Sequence, residues 1–281
     1  MPKIDARHVR EAEFEFGPAE FDRVRLLIHR RAGISLHEGK QAMVYGRLSR
    51  RLRVLRQPSF RNYLQWLENA SGATGEAEWQ AFVNCLTTNL TSFFREEHHF
   101  PVLANALRAG PLRPWRIWCN AASTGEEPYS LAMTVAEALG ARANVEILCT
   151  DIDTQVLAQA EKAAYPVDAR GLTAERRQRH FQRGTGDNAG LMRVKPELRA
   201  MVHLRPFNLM APRWSLGAPF DIVFCRNVMI YFDAPTQLAV LERMHAAMQP
   251  GGLLFAGHSE NFSQARALFK LRGKTVYERV S

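Results

Sequence analysis

Several things are scarce in this sequence, and each scarcity excludes something. No apolar run approaches the roughly 20 residues a membrane-spanning helix needs, so direct insertion into a bilayer is not expected. Residues Met1 to Phe16 are charged and hold no apolar core segment, so a secretory signal is not expected either. The four cysteines, Cys85, Cys119, Cys149 and Cys225, stand apart, without the spacing of a metal site or a disulfide framework. Three of them fall inside apolar stretches, where a thiol packs as a small hydrophobe, and the expected compartment is the reducing cytoplasm. There is no internal repeat and no low-complexity tract. Acidic residues are missing from one region in particular. Residues 23 to 61 carry eleven Lys or Arg against the single acid Glu38, whereas the whole chain nets only +9. The positive charge is therefore local and implies an acidic partner surface. What is present suffices for a core: 281 residues, 46% apolar and 23% charged, fit one large domain and a smaller one.

The smaller domain is expected at residues 1–86 and reads as all-helical: Pro18 to Ala32, Glu38 to Arg56, Ser59 to Asn69 and Glu76 to Leu86, punctuated by Gly33, Pro58 and Ser71-Gly72. On the second helix, Met43, Leu48, Leu52 and Leu55 form the apolar stripe, and Arg47, Arg50, Arg51, Arg53 and Arg56 crowd the other faces. Like charges three and four residues apart destabilise a helix, so this run is read as a binding surface in preference to an ordinary solvated face.

Residues 87–281 read as an α/β domain. Thr87 to Glu97 bridges into it. A strand from Trp115 to Ala121, entered through Pro111 and Pro114, runs into Ala122-Ser123-Thr124-Gly125-Glu126-Glu127-Pro128 and a helix to Leu139, which Ser123 or Thr124 would cap. A second strand, Val145 to Thr150, ends in Asp151. A third, Phe220 to Cys225, delivers Arg226-Asn227-Val228-Met229-Ile230-Tyr231 to its carboxyl end, the edge at which open α/β sheets hold ligands. Asp153 to Ala163 and Pro235 to Met248 are helices; Met201 to Arg205, Leu253 to Ala256 after the turn Pro250-Gly251-Gly252, and a hairpin of Phe269-Lys270-Leu271 with Thr275-Val276-Tyr277 complete the sheet. An acid placed like Asp151 accepts hydrogen bonds from ribose hydroxyls. A dinucleotide fingerprint has three glycines where this turn has only Gly125, so a nucleoside without phosphates fits better than NAD or FAD. S-adenosylmethionine is such a molecule. Glu126 then either meets its cationic end or complements the helix dipole.

One segment, Leu172 to Val202, is too long for a simple connection. Its two short apolar runs flank a turn holding Gly184, Gly186 and Gly190 and read as an inserted β-hairpin, with Arg193 on the returning strand.

Taken together, Thr88-Asn89-Leu90-Thr91-Ser92-Phe93-Phe94-Arg95-Glu96, Ala121 to Ser130, Thr150-Asp151-Ile152-Asp153, Phe224 to Phe232 and Gly257-His258-Ser259-Glu260 resemble the signatures of the bacterial chemotaxis receptor methyltransferases, the CheR type, from about residue 15 onward. The resemblance implies a class I S-adenosylmethionine-dependent methyltransferase: a Rossmann-like, mixed seven-stranded sheet with a small all-α N-terminal domain and an inserted β-subdomain at about 172–202. It implies a protein-glutamate O-methyltransferase that forms glutamyl methyl esters and S-adenosylhomocysteine as the adaptation step of chemotaxis. The partners implied are methyl-accepting chemoreceptors, through their cytoplasmic methylation helices. Family members with a glycine-rich insert also dock a receptor's C-terminal pentapeptide as an extra strand. That would give receptor-binding roles to Gly184, Gly186, Gly190 and Arg193 beside the five arginines.

A glutamate carboxylate is already ionised at neutral pH, so in-line methyl transfer needs alignment and no general base. Arg95 and Tyr231, which the resemblance places beside the transferred methyl, would orient the carboxylate, and Arg95 is also expected among the cofactor contacts. Asn89 and Thr91 would line the methionine side of the pocket, and Asn208-Leu209 and Arg226-Asn227 would bracket the adenine and amino-acid ends. Two rivals are weaker. A nucleic-acid methyltransferase would place two prolines and an aromatic after Asn227, where Val228-Met229-Ile230-Tyr231 stands, and Tyr45 alone interleaves the basic run. A scaffold that has lost activity would not be expected to keep Arg95, Glu126, Asp151, Asn227 and Tyr231 together. Glu96-Glu97-His98-His99 lacks the His-Glu-x-x-His order of zinc hydrolases, so no metal is expected, and His258 is read as structural.

Overall fold

Apolar residues at helical spacing build four N-terminal helices: α1 (Pro18–Ala32), α2 (Gln41–Leu55, after one 3-10 turn at Glu38–Lys40), α3 (Phe60–Asn69) and α4 (Gly72–Leu86). The computed structural model describes residues 13–110, 114–140 and 143–280; the segment before residue 13, and Pro111 at the expected entry to the first strand, lie outside the described residues. Val24, Ile28, Val44, Leu48, Leu52, Phe60, Leu64 and Phe82 are buried among the four helices. The Glu78 carboxylate is buried with them. It accepts hydrogen bonds from Arg51 on α2 and from the Tyr63 hydroxyl on α3, the latter at 2.8 Å.

The sheet domain follows as α5 (His99–Ala109), β1 (Trp115–Cys119), α6 (Glu126–Leu139), β2 (Val145–Asp151), α7 (Thr154–Lys162), β3 (Ala164–Pro166), α8 (Ala174–His180), β4 (Phe181–Arg183), β5 (Leu191–Val194), α9 (Pro196–Arg199), β6 (Val202–Pro206), β7 (Phe220–Cys225), α10 (Ala234–Ala246), β8 (Met248–Ala256), β9 (Phe269–Gly273) and β10 (Val276–Arg279). Seven strands form the main sheet in the order β6-β2-β1-β7-β8-β10-β9. Pairing is parallel from β6 to β8, and β10 runs antiparallel to both β8 and β9. The strand order reverses between β1 and β7, the place where an α/β sheet opens a crevice. All six residues of β7 are buried, as an apolar central parallel strand should be.

Three features depart from the sequence reading. Residues 99–109 form a helix although Pro101 falls inside them; Pro101 stands in the first turn, where its missing N–H has no partner to lose. Strand β8 begins at Met248, so the Pro250-Gly251-Gly252 turn bulges within a strand: Met248 pairs with Phe220 and Leu253 with Ile222. The insert carries a three-stranded sheet, β3-β5-β4, that takes Ala164–Pro166 from upstream of Leu172.

Helix α4 makes one seam between the two parts, with the start of α7 through Gln80 and Asn84, and another lies at the end of α1. Ile34 bridges Phe232, the Ser35 N–H donates to the Tyr231 carbonyl at 2.7 Å, and the Asn208 amide donates to the Arg31 carbonyl at 2.7 Å. His29 and Asp233 stand 2.9 Å apart beside them. The end of α1 and the segment after it are thereby fixed over the carboxyl edge of the sheet.

Candidate active site

A cleft of about 370 Å3 opens at that edge, with Ala32 to Lys40 and Met43 on one side and the tips of β1, β2 and β7 on the other. This volume lies in the range of small-ligand sites. Asn89, Thr91, Arg95, Asp151, Asn208, Leu209, Arg226, Asn227 and Tyr231, expected from the sequence, all line it.

Asp151 sits at the floor. Its two oxygens accept from the Ser123 N–H at 2.8 Å and the Asp153 N–H at 2.9 Å. Burial raises its pKa to about 6, against the pull of those backbone donors. A carboxylate offers about four acceptor positions, so two remain. Ser123 reaches its donor position only in a left-handed conformation, φ 48°, and its hydroxyl donates to the Asn89 carbonyl at 3.0 Å. The Asn89 amide in turn donates to Asp153 at 2.8 Å.

The glycine turn does something other than expected. Gly125 is the residue preceding α6, at φ 99°, and a Cβ there would come within 2.5 Å of the Tyr165 hydroxyl and 3.0 Å of Ala160. Its missing Cβ would point at α7 and β3, and neither the Ser123 nor the Thr124 side chain caps the helix. Of the two acids that open α6, Glu126 was expected to reach the cofactor. It accepts from the Thr124 hydroxyl at 2.6 Å and lies outside the cleft lining, which Glu127 joins instead. Neighbouring helical residues point about 100° apart, so the two carboxylates face different surroundings.

Arg226 is 4% exposed. Its guanidinium pairs with Glu127, stands 3.4 Å from Glu96 Oε2, and donates to the Arg95 carbonyl. Its charge is thus engaged within the protein. Asn227 is left-handed, φ 57°. The buried Glu260 carboxylate holds that turn by accepting from the N–H groups of Asn227, Val228, Met229 and Gly257. Burial pushes the Glu260 pKa up, against those four donors. Asn208 uses its amide on Arg31 and accepts from the Met210 N–H, so its side chain braces the seam beside the cleft.

Arg95 is half-buried, with its guanidinium donating to the Leu90 carbonyl at 2.9 Å. Tyr231 presents a half-buried phenol on the other wall. Exposed apolar side chains of Leu90 and Ile230 flank them, at 81% and 48% exposure.

Glu96, His98 and His99 bring one potential ligand atom each within 4.8 Å of one another. Arg226 already supplies positive charge there. Burial tends to raise the Glu96 pKa, but the Arg226 charge and hydrogen bonds with His258 outweigh it and hold the value at about 2. Burial first, then Arg226, lowers the His99 pKa to about 3, and its Nε2 meets the Thr275 hydroxyl at 2.8 Å. This cluster reads as part of the protein's own charge network. His258 Nδ1, 3.2 Å from Glu96, ties the last parallel strand to it.

The five arginines divide. Arg47 donates to the Thr87 and Cys85 carbonyls, Arg51 pairs with buried Glu78, and Arg53 pairs with Glu13. The acids missing from the local sequence come from elsewhere in the chain, and the half-buried Arg51 neutralises the buried Glu78. Arg50 and Arg56 are exposed and make no ion pair among the described residues. Arg193 lies on β5 of the inserted sheet and Gly184, Gly186 and Gly190 in the turn between β4 and β5, all outside the cleft lining. Sequence reasoning had not given roles to Glu96, Glu127 and Glu260. An acid within a small, strand-end loop, as in Gly257-His258-Ser259-Glu260, was the available signal.

Two family descriptions match the chain: "CheR methyltransferase, all-alpha domain" over residues 19–87 and "CheR methyltransferase, SAM binding domain" over residues 89–278. A chemotaxis protein methyltransferase of Klebsiella aerogenes is 55% identical over 261 residues, covering 92% of this chain and 89% of the relative. Chemotaxis protein methyltransferase 2 of Pseudomonas aeruginosa is 52% identical, covering 94% of each chain. The chemotaxis protein methyltransferase of Escherichia coli is 51% identical, covering 92% of this chain and 90% of the relative.

Proposed function

Because the chain belongs to the CheR methyltransferase family, an S-adenosylmethionine-dependent methyltransferase of chemotaxis, we propose that its acceptors are glutamate carboxylates on the cytoplasmic helices of methyl-accepting chemoreceptors, yielding methyl esters. The observation that carries this reading is the convergence of Arg95 and Tyr231 on one cleft with Asp151. An arginine and a phenol can seat an acidic side chain at the mouth while a buried acid takes a ribose at the floor.

The residues fit S-adenosylmethionine. Asp151 has acceptor capacity left beside its two backbone donors. The turn carries one glycine, Gly125, and the space its Cβ would fill is occupied by Tyr165, in keeping with a cofactor without phosphates. When bound, the cofactor supplies a methyl group made electrophilic by a sulfonium. Asp151 would hold the ribose and Asn89 and Thr91 the methionine side, with the walls at Asn208-Leu209 and Arg226-Asn227 bracketing the two ends and the Arg226 guanidinium itself engaged by Glu127 and the Arg95 carbonyl. Arg95 and Tyr231 would orient the incoming carboxylate without neutralising it, since an over-tight ion pair weakens the nucleophile. Alignment then carries most of the rate.

We assign the chain's division as 1–86 and 87–281, with the first part contacting receptor. Lys40 and Met43 line the cleft at the start of α2, and Arg50 and Arg56 stand exposed farther along it. An acidic helix drawn along α2 would reach the mouth. The strand β4 pairs with β5 on one side only, leaving an edge on which a receptor's C-terminal peptide could add as a strand, close to the Gly184, Gly186 and Gly190 turn and Arg193.

The deciding experiment incubates the protein with radiolabelled S-adenosylmethionine and receptor-bearing membranes, then treats the product with mild alkali. Release of label as volatile methanol supports carboxyl esters. Alkali-stable label on protein, or label on nucleic acid, overturns the assignment.

A further inference from the structure

Arg95 sits on an improbable turn. Its two neighbours, Phe94 and Glu96, both have left-handed backbones, at φ 48° and 54°. For residues other than glycine such conformations persist only where the surroundings over-determine them. The outward side is fixed by packing. Phe94 is 3% exposed, its N–H donates to the Ser130 hydroxyl at 2.9 Å, and the Arg176 guanidinium lies 3.7 Å from its ring centroid. The inward side is held by charge. Arg226 donates one nitrogen to the Arg95 carbonyl and another to Glu127, which also accepts from the Cys119 thiol at 3.3 Å. Glu96, the next residue of the turn, lies 3.4 Å from the same guanidinium and accepts from the Asn227 amide at 3.5 Å.

Resting on the reading of Arg95 given above, we propose that Arg226 and Glu127 are positioning residues: the pair forms a buried staple from β7 and α6 that holds the Arg95 turn and so aims the Arg95 guanidinium at the acceptor carboxylate. Glu127 neutralises Arg226 and fixes its plane, and Arg226 transmits that to the Arg95 backbone. Lysine at 226 keeps the charge facing Glu127 but cannot present two nitrogens to two partners in fixed geometry. Glutamine at 127 keeps the shape and loses the charge. A shift of about 1 Å in a substrate-orienting group is enough for about a hundredfold loss of rate.

The test is a double-substitution cycle with Arg95 on the full chain. Arg226→Lys and Glu127→Gln are each made in the native background and in Arg95→Ala, and methyl transfer to receptor membranes is measured with affinity for S-adenosylhomocysteine. The expected result is a tenfold or greater fall in kcat, to about a hundredfold, in the native background with S-adenosylhomocysteine affinity kept within about twofold, and a fall of less than about twofold in the Arg95→Ala background; lost affinity in both backgrounds would give the pair a direct cofactor role and overturn the proposal. Equal falls in both backgrounds, or none in either, overturn the proposal. Amide hydrogen exchange at residues 95 to 99 supplies a readout independent of turnover: the staple predicts about tenfold faster exchange in both variants, and unchanged exchange refutes it. Should the unsubstituted protein fail to methylate receptor carboxylates, the functional reading falls, and the exchange measurement still decides the staple.

Discussion

Cofactor affinity should weaken as pH falls through the range in which Asp151 takes up a proton. Burial sets the Asp151 pKa at about 6, because the desolvated carboxylate has only backbone donors to compensate it. Both oxygens already accept one N–H. A proton would occupy one of the two acceptor positions left for ribose hydroxyls. At pH 7 about nine-tenths of the free protein carries the ionised form, and at pH 5 about one-tenth. If the ionised form binds, the apparent Kd rises about tenfold between those values, equivalent to about 1.4 kcal/mol.

The measurement is calorimetry with S-adenosylhomocysteine, whose own amino and carboxyl groups titrate outside this window. Binding is the better probe than unfolding. With its raised folded value, Asp151 stabilises the fold below its ordinary pKa of 3.8, and that contribution disappears as pH rises through about 6. Glu96, held at about 2, and His99, at about 3, have the opposite sense. Their contributions are complete above 4.5 and 6.5 respectively and are lost as pH falls through the lowered values. In a global unfolding curve these slopes overlap. In binding, Asp151→Asn isolates one of them: the variant should bind more weakly at pH 7 and show no dependence down to pH 5. A flat wild-type profile refutes the argument. An unchanged slope in the variant refutes the assignment of the effect to Asp151.

Arg95→Ala and Tyr231→Phe should each lower kcat by tenfold to about a hundredfold and leave S-adenosylhomocysteine affinity within about twofold; steady-state kinetics with calorimetry separates the two, and a lost affinity with intact kcat moves both residues to cofactor binding. Glu260→Gln should cost about 1–3 kcal/mol in urea unfolding, since part of a four-amide acceptor set is lost in a buried site. An unchanged midpoint would deny it the loop. Arg51→Ala should cost about 3 kcal/mol by stranding Glu78, whereas Arg50→Ala should stay within about 0.5 kcal/mol in the same unfolding measurement. Conversely, substituting Arg50 and Arg56 should slow methylation at low ionic strength more than at high, and equal slowing at both would return them to plain surface charge.

Much of the scaffold was legible because it follows from local rules. Apolar, β-branched runs made Phe220–Cys225 and Val145–Asp151 into strands, and 3.6-residue spacing placed the helices. The sequence reading gave residues 99–109 no element, although Phe100, Leu103 and Leu107 carry an apolar helical period. Ala164–Pro166 was missed because three residues have no period of their own; β5 supplies the partner that makes them a strand. In the cleft, residue types next to strand ends were readable, and their partners were not. Nothing local in Arg51 says that Glu78, 27 residues on, neutralises it, and nothing in Glu126-Glu127 says which carboxylate turns inward. Those are properties of packing between elements distant in sequence.

A common logic joins the cleft's irregular loops. Four of its backbone positions, Phe94, Glu96, Ser123 and Asn227, adopt left-handed conformations although none is glycine. Each loop is tied to a buried or half-buried acid: Ser123 to Asp151, Asn227 to Glu260, and the Arg95 turn, through Arg226, to Glu127 and Glu96. A neutral side chain in those places could satisfy fewer amides and could not balance Arg226. Left-handed backbone costs of the order of 1 kcal/mol or more per residue, and a carboxylate that accepts two to four amide hydrogen bonds is strong enough to hold it. The acids therefore restrain the loops from which Arg95 and Tyr231 line the cleft. It follows that neutralising any one acid should disturb its own loop first, and that the disturbance should reach the reacting groups only where, as at Arg226, a side chain bridges two loops.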